Sequence, residues 1–187
     1  MDEELMLLLE EAKEKFDKAL KHLKNELKHI RAGKADVHLL DDIVVDYYGN
    51  KTPLNQVSNI NTPDARTISI QPWEKSLIPV IEKAIMEANL GLNPENNGEV
   101  IRIFIPPLSE ERRKELVKRV KKEGEQTKIG IRNVRREILE ELKKLKKEGL
   151  PEDIEKRKEE ELENTVKEYI KKIDEMLEKK EEDIMKF

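Results

Sequence analysis

The sequence predicts an α+β protein of two domains: a long three-helix bundle, with a small α+β domain of β/α/β order inserted after its first helix. Three observations predict it. The stretches 2–30, 109–148 and 152–186 each repeat apolar residues at helical spacing for roughly eight turns or more. Most of the chain's Pro, Gly, Asn and aromatic residues, taken together, collect between residues 34 and 106, where short β-branched runs replace the helical period. The chain is 42% charged but only 36% hydrophobic and 4% aromatic, a balance that suits long helices with narrow seams rather than one thick core.

The first helix, over residues 2–30, carries Leu5, Leu9, Ala12, Phe16, Ala19, Leu23, Leu27 and Ile30 in steps of three and four, the spacing of a helix–helix seam. Gly33 then marks a stop or hinge. Residues 43–48 read as a strand closed by Gly49-Asn50, and 67–71 as another by alternation. Trp73 to Asn89 reads as a helix with Pro79 in its first turn and Gly91 past its end. Asn96-Asn97-Gly98 is a turn, and Val100 to Ile105 a last strand. Trp73, Tyr47 and Tyr48 are expected in the core of this module rather than as base-stacking platforms. Pro106-Pro107 makes a stiff exit into the second long helix, which Ser109 caps and Gly149 and Pro151 end. The third, over 152–186, keeps Ile154, Leu162, Val166, Tyr169, Ile173, Leu177 and Ile184 at seam spacing and ends at Phe187. Three single-seam helices bury those seams best against one another. The bundle is therefore assigned to 1–32 and 106–187, and the inserted domain to 33–105. The chain passes between them through two short joints, Ala32-Gly33 and Ile105-Pro106, which suits a hinge.

The second long helix sorts its charges. Stepping at ~100° per residue from Arg113, the apolar residues fall within roughly a third of the circumference. Beside them, over about 140°, lie Lys118, Lys121, Lys122, Lys128, Arg132, Arg135, Arg136, Lys143, Lys146 and Lys147. Most of the helix's acids fall on the far side, although Glu125 sits inside the basic stripe. A straight basic stripe of this length suits a phosphate backbone; a solvated Lys/Glu face of an ordinary bundle is the alternative. The net charge of −4 does not advertise nucleic-acid binding, so such a role rests on this local sorting.

Other chemistry is missing. The chain has no Cys, which excludes disulfides and thiolate catalysis and fits a reducing compartment. No apolar run approaches ~18 residues, so no membrane span is expected. Gly33-Lys34 lacks the rest of a phosphate loop. His22, His29 and His38, the only histidines, have no partners at zinc spacing. No carboxylate is set in the apolar context that acid–base catalysis needs. These absences argue against an enzyme and against a metal or cofactor.

Several strings, in order along the chain, carry a resemblance: Arg31-Ala32-Gly33-Lys34-Ala35, Asp46-Tyr47-Tyr48-Gly49, Asp64-Ala65-Arg66-Thr67, Leu90-Gly91-Leu92-Asn93-Pro94, Pro106-Pro107-Leu108, Glu110-Glu111-Arg112-Arg113-Lys114 and Ile131-Arg132-Asn133-Val134-Arg135-Arg136. Together they resemble the bacterial ribosome recycling factors. The resemblance implies an L-shaped, monomeric, cytoplasmic protein that binds the rRNA of the large ribosomal subunit after termination. With elongation factor G and the GTP that partner hydrolyses, it splits the complex into subunits. It implies rRNA contacts at Arg132 and Arg135, with Arg135 foremost, a basic joint at Arg31 and Lys34, and a motif arginine at Arg113. Arg136, Lys121 and Lys128 join these as stripe residues. The chain departs from the family at Asp36-Val37, where Ser-Pro is usual. It departs again at Gly124 and Gly130, where Ala or Ser is commoner and where Gly is expected to loosen the helix at about 1 kcal/mol each. The rival reading is a non-catalytic helical adaptor that binds protein partners through its acidic faces.

Overall fold

The structure is a computed structural model describing residues 2–186; Met1 and Phe187, the ends of the expected bundle, lie outside the described residues. The described residues divide into two compact units, 2–32 with Glu110–Lys186, and Gly33–Ser109.

The first unit is three helices, α1 (Asp2–His29), α3 (Glu110–Lys147) and α4 (Glu152–Lys186), each packed on the other two. At 38 residues α3 is about 57 Å long. Acidic residues occupy the first turn of all three, where the helix dipole favours them. The predicted seams are the core: Leu5, Phe16, Leu23, Val120, Ile131, Leu142, Leu162, Ile173 and Ile184 are buried, while Ala19, Ile154 and Leu177 are only half-buried. Phe16 meets Tyr169 at a ring-centroid distance of 5.1 Å, and the Tyr169 hydroxyl donates to Asp17 across the bundle. A Schellman motif ends α3. Gly149 sits at φ 113, its N–H bonds to the Lys146 carbonyl at 3.1 Å, and that of Leu150 to Leu145 at 2.9 Å. Leu150 is buried, and the chain turns back into α4.

The two interior glycines of α3 are not equivalent, which corrects the expectation that both loosen it. A Cβ on Gly124 would overlap the Leu177 side chain of α4, so its absence lets the two helices approach. A Cβ on Gly130 would meet nothing within 4 Å.

The second unit has one α-helix, α2 (Ile78–Glu87), and six strands. β1 (Val44–Tyr47) and β2 (Asn50–Pro53) form a hairpin closed by Tyr48 at φ 50 and Gly49 at φ 82, the two left-handed residues of a type I′ turn. β3 (Ser58–Asp64), β4 (Thr67–Pro72), β6 (Ile101–Phe104) and β5 (Pro94–Asn96) make an antiparallel sheet in the order β3-β4-β6-β5. The small domain is thus richer than β/α/β. The unpredicted strands β2, β3 and β5 lie at sheet edges, where Asn and Pro are tolerated, and β3 carries Pro63 inside a register shift. The predicted helix at 73–89 begins five residues later, after extended Glu74 and a 3₁₀ turn at Lys75–Leu77. Pro79 does lie in its first turn. Asp36 caps a further 3₁₀ turn, Val37–Leu40, by accepting from the His38 N–H. The core gathers Leu54, Ile68, Ile70, Ile81, Ile85, Ile101 and Ile103.

The aromatic expectation is corrected. Trp73 is 70% exposed and Tyr48 79%, and only Tyr47 packs against the core. The chain leaves β4 with Pro72 turned in and Trp73 turned out. The Tyr47 and Tyr48 hydroxyls donate to the two oxygens of Glu74 at 3.1 and 3.0 Å, and these bonds hold both phenols above their ordinary value.

Two measurements check this packing. Gly124→Ala should lower stability by up to about 2 kcal/mol, overpacking against Leu177 outweighing the ~1 kcal/mol gain in helix propensity, while Gly130→Ala should raise it by about 0.5–1 kcal/mol. Thermal melts of the two variants then move in opposite directions. Burial, then the Asp17 hydrogen bond, pushes the Tyr169 phenol from 10.0 up to about 12. Because the raised value belongs to the folded state, its stabilisation is complete below pH 10 and lost as pH climbs toward about 12. Urea unfolding of the wild type and of Tyr169→Phe should therefore give stabilities whose difference narrows across that window.

Candidate nucleic-acid interface

On the helical wheel of α3 most of the cations fall into two rows by their distance from the seam, while Arg112, Arg119 and Lys144 lie on the opposite side among the acids. Lys114, Lys118, Lys121, Lys122, Arg132, Arg136, Lys143 and Lys147 lie about 80–180° from Arg113. All eight are exposed, and none forms an ion pair among the described residues. They span about 50 Å of helix. Lys114 is absent from the stripe expected from sequence, although its angle of ~100° places it mid-stripe.

The second row, nearer the seam at about 40–60°, is tied to α4. Arg135 Nε donates to Glu163 Oε1 at 2.5 Å, with both side chains 38% exposed. Lys128 lies 2.6 Å from Asp174 and is only 16% exposed. Lys146 lies 3.1 Å from Glu155, whose carboxylate holds the ammonium above the ordinary lysine value. Glu155 Oε2 is buried without a well-angled hydrogen bond, so that contact is an ion pair. Spacing along α4 gives no sign of this buried carboxylate. So Arg135 and Lys128, expected to face outward with the rest, stand half-turned toward α4. Their carboxylate partners come from a helix more than 25 residues away in sequence, invisible to a wheel drawn for α3 alone.

Arg113, the motif arginine that the resemblance implies, stands apart from both rows. It lies on the seam side, half-buried, and Nη1 donates to the Met185 carbonyl at 3.4 Å in the last turn of α4. There its charge faces the negative end of that helix. Arg31 and Lys34 are exposed. At the joints, Ala32 is half-buried, Gly33 adopts φ 71, and Pro106 is exposed. Ile105, expected at the hinge, is instead held in the small unit's core, and its N–H bonds to the Arg66 carbonyl at 2.7 Å. The Ala35 N–H bonds to the neighbouring Ala65 carbonyl, also at 2.7 Å. The turn 64–67, where Asp64 accepts from the Arg66 N–H and is thereby held below the usual carboxylate range, clasps both ends of the small unit.

The charge inventory fits a cationic flank. Residues 33–109 hold six Lys and Arg against ten Asp and Glu, which leaves the rest of the chain with equal numbers. The chain's acidity therefore belongs to the small unit and does not oppose the α3 stripe. Among the described residues no group of His, Asp and Glu could hold a metal ion, and no helix is long and apolar enough to cross a membrane.

Comparison with known proteins gives a consistent result. A family model described as ribosome recycling factor matches residues 23–185. The ribosome-recycling factor of Flavobacterium johnsoniae is 54% identical over 186 residues, covering all of both chains. That of Porphyromonas gingivalis is 52% identical over 183 residues, covering 97% of this chain and 98% of its own. A solution structure of a ribosome recycling factor superposes with a TM-score of 0.76 at 42% identity and covers 98% of each chain. A second structure gives a TM-score of 0.63 at 45% identity, covering 96% of this chain and 98% of that one. It represents the T. thermophilus ribosome recycling factor and E. coli elongation factor G bound to the E. coli post-termination complex.

The two rows should separate in stability measurements. Arg132→Ala and Arg136→Ala should leave stability within about 0.5 kcal/mol of the parent. Arg135→Ala and Lys128→Ala, which break contacts to α4, should cost about 0.5–1 kcal/mol each. Chemical denaturation of the four single variants reads the difference.

Proposed function

This chain belongs to the ribosome recycling factor family, and from that premise we propose that it binds the large ribosomal subunit after termination. With elongation factor G and the GTP that partner hydrolyses, it splits the post-termination complex into subunits. It works as a monomer, in the cytoplasm where ribosomes are. The protein is a non-enzymatic translation factor: it makes and breaks no bond, and its work is binding and leverage.

The observation that carries the rRNA reading is the exposed row of eight cations along one side of α3, none of them neutralised by an ion pair among the described residues. Such a row displaces condensed counterions from a phosphate backbone, and their release drives binding. Arg132 and Arg136 present planar guanidinium forks that grip two phosphate oxygens at once, which Lys does not. Lys121 and its lysine neighbours add point charges. Arg135 contributes from the edge of the row, with Nε engaged and both Nη groups still available to a phosphate. Lys128 serves mainly to tie α3 to α4. Arg31, just past the end of α1, and Lys34, in the small unit, are further exposed cations. The joints at Ala32-Gly33 and after Ile105, through Pro106, let the small unit transmit the partner's push while the bundle stays rigid. The clasp at Ala65 and Arg66 confines any bending to residues outside it.

Co-sedimentation with purified large ribosomal subunits over a salt series tests this reading. The logarithm of affinity should fall linearly with the logarithm of salt concentration. Arg132→Ala and Arg136→Ala should each weaken binding and reduce the slope by about one. Binding that ignores salt and these arginines would return the protein to the adaptor reading.

A further inference from the structure

We propose that Glu163, an acid on the cationic face, is a positioning residue that helps Arg135 bind phosphate. The inference rests on the rRNA reading above and deepens it. An exposed carboxylate beside a phosphate-binding arginine repels the ligand and is at first sight a defect. Its geometry argues otherwise. Glu163 projects from the first half of α4, and its Oε1 accepts from Arg135 Nε at 2.5 Å. Nε is the donor nearest the backbone. Holding it there restrains the guanidinium and leaves the distal pair of Nη groups, the fork suited to two phosphate oxygens, outside that hydrogen bond.

Both side chains are 38% exposed, so the pair sits at the lip of the α3–α4 groove, neither buried nor free. A buried pair would keep Arg135 from a ligand, and a fully exposed one would leave its rotamers unconstrained. Arg132 and Arg136, on the same turn of α3, have no such partner among the described residues to hold their guanidinium groups. Arg135 is thus the one arginine of the trio whose ordering cost is met within the folded protein rather than on binding. The other charged groups here are consistent with this. Asp174 and Glu155, two other α4 acids that face α3, are each paired with a lysine, Lys128 and Lys146. Glu159, one turn before Glu163, adds to the field at Lys146, so Glu163 is the acid that meets Arg135.

The experiment turns on a sign. If Glu163 acts only as a nearby negative charge, Glu163→Ala relieves repulsion and binding to large ribosomal subunits tightens. If it positions Arg135, Glu163→Ala weakens binding by roughly three- to tenfold, the cost of ordering one rotamer-rich side chain. Glu163→Gln keeps an oxygen acceptor for Nε and should bind within about twofold of the parent. Arg135→Ala should weaken binding well beyond tenfold and make a further Glu163→Ala change silent. Co-sedimentation at fixed salt reads all four proteins, and their melting temperatures confirm that each is folded. Unchanged or tighter binding by Glu163→Ala overturns the proposal, as does Glu163→Gln binding as weakly as Glu163→Ala. Wild-type binding by Arg135→Ala overturns instead the rRNA role of Arg135 on which the proposal stands.

Discussion

The packing of α4 along α3 is the constraint from which the rest of the bundle follows. α3 is too long and too charged to be stable as an isolated rod, since only a narrow stripe of its surface is apolar. It keeps its form because Leu116, Val120, Ile131, Ile138 and Leu142 are buried against partner helices over its whole length. The contact is close enough that Gly124 must lack a Cβ for Leu177 to seat. Once this seam is set, every other position on α3 has a determined relation to solvent and to α4. Residues next to the seam meet α4 carboxylates. Those a further ~60° round face water, and there the exposed cations stand.

This division gives the two rows different work, with Arg135 at the border between them and taking part in both. A cation paired at the groove contributes to holding two helices together and is partly neutralised. A cation beyond the groove contributes little to stability and keeps its full charge for a ligand. An unpaired charged flank on a long helix suits the binding to the large ribosomal subunit proposed above. The small unit carries the acid surplus and no comparable basic row, so the two units are chemically distinct surfaces.

Within the small unit the same logic of local constraint applies on a smaller scale. The clasp formed by the 64–67 turn ties Ala35 and Ile105, the two points where the chain enters and leaves, to adjacent carbonyls. That explains the string Asp64-Ala65-Arg66-Thr67 without invoking any ligand: Asp64 shapes the turn and the turn presents two acceptors. It also explains why Ile105, which reads as linker beside two prolines, is structurally part of the sheet domain.

What the sequence determined alone were the features set by local periodicity. The three long helices, their seam residues, the strand read at 67–71, the Asn-Gly turn and the sorting of charge on α3 all follow from side-chain spacing within one element, and the ordered motifs pointed to the family. Tertiary structure decided whatever depends on a partner distant in the chain. Edge strands β2, β3 and β5 carry little β-branched signal because pairing on one side alone holds them. Trp73 faces out because the chain turns after Pro72, and aromatic character alone does not choose a side. Gly124 reads as a weakness until Leu177 is placed against it, and Arg135 reads as a free cation until Glu163 arrives from α4. Periodicity reports where a side chain points on its own helix; only the packed bundle reports what is waiting there.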